Sequence, residues 1–354
     1  MLRARQQSPA ASRPDSAGSS PPLPAGFEPR KLALRALQVI VLLTVVVLVA
    51  LLAPGLGAVR DHIGDARPGW LVLAVALEGM SCMSYVLLFR AVFCREMSWK
   101  ASMQIAWAEL GVGSIVPASG AAGLALGAWA LIQTGMSIDR VARRSVAFFL
   151  IKGSVNFVAV AVVGTLMAIG VGPPRSLWLT AFPAAMSVLA IAAVVALPKL
   201  GPGTSPGPEA GRLRRGIAAA RTSIIMGTRE AGQILRRRDP LVIAGALGYW
   251  IWDNAVLWAT FHAFGASLPL TVILMAYLIG QLGGLLPLPG GVGGIDGGLI
   301  ATFILFGAPP AVTALAVLTY RIILFWLPLI GGAIAFLSLR RDLARDDQAV
   351  FQRC

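Results

Sequence analysis

The chain has 354 residues, 57% of them hydrophobic and 13% charged, with a mean hydropathy of +0.77, a balance that excludes a water-soluble globule. Apolar runs of about 20 residues recur along most of its length, which calls for helices and excludes the short alternating strands of a porin-like barrel. The net charge of +14, from 30 Lys+Arg against 16 Asp+Glu, lies mostly between the apolar runs. There basic residues set orientation and meet anionic headgroups, so no nucleic acid partner is expected.

Residues 1–31 are rich in Pro, Ser, Ala and Gly and read as a disordered cytoplasmic tail. The run Leu32 to Ala53 follows Arg30 and Lys31; it is too long for the core of a signal peptide and lacks a small-residue cleavage site, so it reads as a retained first span. Further apolar segments cover 69–89, 101–132, 145–170, 176–198, 241–264, 269–306 and 312–338. Two of them, 101–132 and 269–306, are too long for one crossing. The first is broken at Val116-Pro117-Ala118-Ser119-Gly120, the second at Leu286-Pro287-Leu288-Pro289-Gly290-Gly291.

If both broken segments are re-entrant hairpins, the tail, 90–100, 133–144, 199–240 and 339–354 fall on one side and hold most of the cations. The outside connections then carry only Arg60, Arg67 and Arg175. As ordinary crossings they would move Arg140, Arg143 and Arg144 outside. The expected fold is therefore an all-α integral membrane protein with six transmembrane helices plus two re-entrant helical hairpins. Its membrane domain covers 32–340, residues 341–354 form a C-terminal tail, and both ends are cytoplasmic.

The two hairpins also align. Laying Pro117 over Pro287 brings Gly120 over Gly290 and Gly123 over Gly293, and each copy continues into an apolar helix, a glycine (Gly135, Gly307) and another span. Because the first hairpin opens from inside and the second from outside, the units 69–170 and 241–338 form an inverted repeat, the usual construction of secondary transporters. Between them, 199–240 is a basic cytoplasmic loop. Within it Leu213, Ile217, Ile224, Ala231 and Ile234 recur at helical spacing among arginines, a pattern for the cytoplasmic leaflet surface.

Six ionisable residues fall inside the expected spans: Glu78, Glu109, Lys152, Asp253, Asp296 and Arg321. Each is costly at hydrocarbon depth unless paired or wet, and so is a candidate for function. Asp296 follows the second glycine-rich break and Arg321 lies about three turns into the next span. An arginine there can grip a phosphate with its planar fork. Lys152 falls one helical turn from the position that the repeat makes equivalent to Arg321, so each half can offer one cation to an anionic headgroup. The three cysteines and two histidines do not cluster at metal-ligand spacing, and no GxxxxGK[ST] or GxGxxG element occurs; neither metal nor cofactor is expected.

The stretch Leu286-Pro287-Leu288-Pro289-Gly290-Gly291-Val292-Gly293-Gly294-Ile295-Asp296-Gly297-Gly298, with Tyr320-Arg321 and Phe325-Trp326-Leu327-Pro328, resembles the lysylphosphatidylglycerol synthase transmembrane family, also called flippase-like domain proteins. The resemblance runs from about residue 34 to 340. It implies lipid translocation between leaflets, without the soluble domain that attaches the amino acid in the larger synthases. No enzymatic activity is therefore expected.

The leading expectation is a plasma-membrane carrier of a phospholipid or other lipid with an anionic or zwitterionic headgroup. Arg321 and Lys152 would hold the phosphate; Asp296, Asp253 and Glu109 would supply polar wall or counter-charge. The breaks at Pro117, Gly120, Pro287, Pro289, Gly290 and Gly291 would form half-depth gates. The competing expectations are a non-transporting partner or scaffold of an envelope-lipid enzyme, and a small-solute or ion transporter.

Overall fold

The computed structural model describes residues 28–52, 64, 66–115, 121–172, 176–201, 211–285 and 292–344, and among these every regular element is helical. In chain order they are α1 (Pro29–Leu52), α2 (Pro68–Phe93), α3 (Trp99–Ile115), α4 (Ala121–Gln133), α5 (Ile138–Ala168), α6 (Leu177–Ala196), α7 (Arg212–Arg236), α8 (Pro240–Ala263), α9 (Leu270–Gly280), α10 (Gly294–Leu305) and α11 (Pro310–Ala344). Short 3-10 turns at Leu197–Leu200 and Gln281–Leu285 follow α6 and α9.

Among the described residues five helices are long and apolar enough to cross a membrane: α2, α5, α6 with its following turn, α8 and α11. The expected first span is the 24-residue helix α1. The two over-long segments each divide into a pair of shorter helices, α3 with α4 and α9 with α10. At about 1.5 Å per residue, a helix as short as the 13-residue α4 or the 12-residue α10 cannot cover a hydrocarbon layer of about 30 Å. The proposed break residues Pro117, Gly120, Pro287, Pro289, Gly290 and Gly291 lie outside the described residues.

Local chemistry accounts for many helix ends. Pro68 and Pro240 occupy the first turns of α2 and α8, where a missing N–H goes unnoticed, and the Asp239 carboxylate accepts the Leu241 N–H at 3.0 Å. Helices α4 and α10 finish alike. Gly135 and Gly307 take left-handed φ values of 93° and 79°. Their N–H groups donate to Ile132 and Ile304, while Met136 and Ala308 donate to Leu131 and Phe303.

The centre of the bundle is the pair α2 and α8, which run antiparallel. The Arg67 N–H, just before α2, donates to the Ala263 carbonyl at the end of α8 (2.9 Å), and Gly245 near the start of α8 abuts the Leu88 backbone late in α2. Helix α3 runs antiparallel to α11: Gln104 bonds Ser338 and Asp342 at 2.7 Å each, while Gly111 meets Gly332. Helix α5 packs against α6, α7 and α9.

One end of the bundle gathers charge. Arg95 pairs with Asp239 (3.0 Å), Lys100 with Asp342 (2.8 Å) and Arg144 with Glu230 (3.0 Å), and Arg144 also donates to the Phe93 carbonyl. These contacts join 90–100, 133–144, 199–240 and the end of α11, the segments that the charge pattern assigns to a single side.

Two apolar cores fill the interior. On α2 one core takes Tyr85 and the buried residues after it, while the other takes Ala74 and Leu77. On α8 the first takes Val242 and Ala246 and the second takes Val256 onward. The buried polar residues Glu78, Ser81, Asp253 and Asn254, with the Cys82 thiol, fall in the gap between them. An interior layer of charge thus separates two greasy ones.

Candidate functional site

Asp253, buried on α8, is the hub of this layer. Its Oδ2 accepts a hydrogen bond from the Tyr277 hydroxyl of α9 at 2.5 Å, and its Oδ1 accepts one from the Tyr320 hydroxyl of α11 at 2.8 Å. Both carboxylate oxygens therefore have a donor, the arrangement that stabilises a buried anion.

Asp296 sits in the first turn of α10. Its Oδ2 accepts the Gly293 N–H at 2.8 Å, closing the helix N-terminus, and its Oδ1 lies 2.6 Å from Arg321 Nε. The Arg321 contact is a close charge pair whose Nε–H is not aligned on the oxygen as a hydrogen bond. Both side chains are largely buried, at 14% and 4% exposure. Arg321 also lies near enough to Asp253 for their charges to interact. Asp253, Asp296 and Arg321 thus form one cluster, built wholly from the second half of the chain.

Glu109 and Lys152 form another, in the first half. Glu109 is 2% exposed on α3, and its carboxylate stands beside the Tyr85 hydroxyl. Gly123 and Gly127 on α4 make room for it: a Cβ on Gly127 would stand 2.6 Å from Glu109 Oε2. Lys152, half-buried on α5, interacts electrostatically with Glu109, and its Nζ lies 5.3 and 5.5 Å from the ring centroids of Tyr85 and Tyr249. Tyr249 is also near enough to Asp253 and Glu78 to interact with them electrostatically, so it lies between the two clusters.

The acids and bases of the apolar helices are read readily from the sequence, whereas the tyrosines beside them are less conspicuous. The chain has four tyrosines, and all four point their hydroxyls or rings at the charged groups from the bordering cores: Tyr277 and Tyr320 on Asp253, Tyr85 and Tyr249 beside Lys152. Their sequence signal is position. Tyrosines of membrane helices concentrate at the headgroup interfaces, whereas these fall inside the apolar runs.

Residues 36–332 match the family described as Lysylphosphatidylglycerol synthase TM region. The chain belongs to this family. All the acids and bases of the polar layer and the four tyrosines fall inside the matched Lysylphosphatidylglycerol synthase TM region, as do α2 through α10 and most of α11. Two UPF0104 membrane proteins of Methanothermobacter thermautotrophicus are 33% identical to the chain. The first match covers 97 residues, 27% of this chain and 29% of the relative; the second covers 86 residues, 24% and 26%. A UPF0104 membrane protein of Methanocaldococcus jannaschii is 34% identical over 95 residues, 27% of this chain and 28% of its own. Each match thus spans less than a third of the curated relative's length. As a member of the Lysylphosphatidylglycerol synthase TM region family, the chain is a membrane protein with several apolar helices.

Proposed function

We propose that this membrane protein carries a lipid with an anionic or zwitterionic headgroup between the leaflets of the plasma membrane. The observation that carries the reading is the pair of cations in the polar layer, Lys152 from the first half and Arg321 from the second, each set among acids and tyrosines. Asp296 orients the Arg321 guanidinium, whose planar geometry matches a phosphate. Next to Lys152, Gly153 carries no side chain, and a Cβ there would meet nothing within 4 Å. On the same helix Phe157, Val158 and Val162 are exposed, an apolar flank suited to acyl chains.

The proposed topology has α1, α2, α5, α6, α8 and α11 crossing the membrane, with α3–α4 and α9–α10 as half-depth hairpins of opposite entry. Three observations support it: the antiparallel α2–α8 pair, the matching ends of α4 and α10, and the charged contacts gathered at one end of the bundle. Both termini then face the cytoplasm. Helix α7 lies along the inner leaflet, presenting exposed Leu213, Ile217 and Ile224 among its arginines. In this reading the chain moves lipid without chemical conversion, and its partners are lipids and the enzyme that makes them.

The test is transfer of a fluorescent phospholipid in proteoliposomes. Arg321→Ala and Lys152→Ala should each lower the rate at least tenfold, while Arg221→Ala on α7 should leave it unchanged. Unchanged transfer in both cation variants would overturn the reading.

A further inference from the structure

Glu78 of α2 stands apart from the two clusters that contain a cation. It is 5% exposed; its Oε1 accepts a weak hydrogen bond from the Cys82 thiol at 3.5 Å, and its Oε2 is buried with no partner. Among the described residues no cation lies within ion-pair distance of it. Across the α2–α8 interface it faces Asp253, near enough for two negative charges to repel.

The remaining titratable and charged neighbours supply no counter-charge to Glu78. Tyr249 of α8 and Tyr277 of α9 face it as neutral hydroxyls, and beyond Asp253 stand Tyr320 and Arg321 of α11, with Arg321 paired to Asp296. Further along the layer come Tyr85 on α2, Glu109 on α3 and Lys152 on α5, whose charge is directed at Glu109. Four acids and two bases leave two negative charges in excess if all are ionised. Asp253 is fitted to remain an anion, because each of its oxygens already accepts a hydroxyl. Glu78, with a bare oxygen and the Asp253 carboxylate in place of a cation, is fitted to be neutral, whereas Glu109 has the Lys152 charge beside it.

We infer that Glu78 is an exchangeable proton site at the α2–α8 interface. Kept from water, its carboxyl is a neutral acid beside the Asp253 carboxylate. When water reaches it the O–H bond breaks, the proton passes to water, and Glu78 is left as a carboxylate. Losing that water again requires one proton to return, since otherwise two like charges would be buried together. The site is defined by the central helix pair and does not rest on the identity of the substrate.

Infrared difference spectroscopy of the full-length protein in nanodiscs, acid minus alkaline, tests this directly. At neutral pH, where exposed carboxyls are ionised, the wild type should still show the carbonyl stretch of a protonated carboxylic acid, which is lost at higher pH and shifts in deuterated water. Glu78→Gln, checked for an unchanged elution profile and melting curve, should lose the band, while Glu109→Gln should keep it. Should Glu78→Gln fail to fold, Asp253→Asn serves instead and should change the pH at which the band disappears. A neutral-pH band surviving Glu78→Gln, a midpoint unmoved by Asp253→Asn, or no protonated carboxyl in the wild type at neutral pH would overturn the proposal. Absence of lipid transfer with the band intact would remove the transport reading and leave the proton site standing.

Discussion

Asp296 holds Arg321 at 2.6 Å with one carboxylate oxygen and caps the N-terminus of α10 with the other. One side chain therefore fixes both the start of a short helix and the placement of a largely buried arginine. Replacing Asp296 by Ala leaves the guanidinium without that partner and should destabilise the fold by about 3–5 kcal/mol, the range for breaking a buried pair. Thermal unfolding in detergent measures it. The double replacement Asp296→Leu with Arg321→Met should recover part of the loss, because the pair is then removed whole while the cap on α10 stays lost.

The two hydroxyls on Asp253 are the next points of stress. Tyr277→Phe and Tyr320→Phe each remove a donor to a buried carboxylate and should each cost about 1.5–3 kcal/mol. In an Asp253→Leu background both costs should largely vanish, and a double-mutant cycle in the same unfolding assay reads the coupling.

Close helix approach makes a third prediction. A Cβ on Gly111 would stand 2.9 Å from the Gly332 Cα and 3.0 Å from the Pro328 carbonyl oxygen, both backbone atoms of α11. Gly111→Ala should push α3 away from α11 and destabilise by about 1–3 kcal/mol. Gly153→Ala, which meets open space, should stay within about 0.5 kcal/mol of wild type.

The proposed topology predicts which face each hairpin returns to. With the native cysteines replaced, Ser137→Cys after α4 and Pro309→Cys after α10, both exposed positions, should react with an impermeant maleimide from opposite sides of the membrane. Labelling from the same side would exclude oppositely entering hairpins.

Hydropathy located the apolar segments because the bilayer demands long uninterrupted greasy runs. The two that exceed one crossing divide into paired short helices on either side of the proline and glycine clusters, as local backbone chemistry requires. The motif Leu286 to Gly298 pointed to the family, and the match over residues 36–332 bears that out. The charged residues were equally legible, since each is conspicuous against its apolar surroundings.

The sequence by itself determined which residues lie in apolar helices and which charges those helices carry, because both depend on local composition and period. Only the tertiary structure decided the pairing: Asp296 with Arg321, Glu109 with Lys152, and Asp253 with two hydroxyls from helices 24 and 67 residues away. Glycines at Gly111, Gly127 and Gly245 set how near the helices come. The physical reason is that burial of charge is settled between elements: a lone acid on a helix face is the same letter whether its neighbour is an arginine, a tyrosine or another acid, and the packing of α2 against α8 chooses among them.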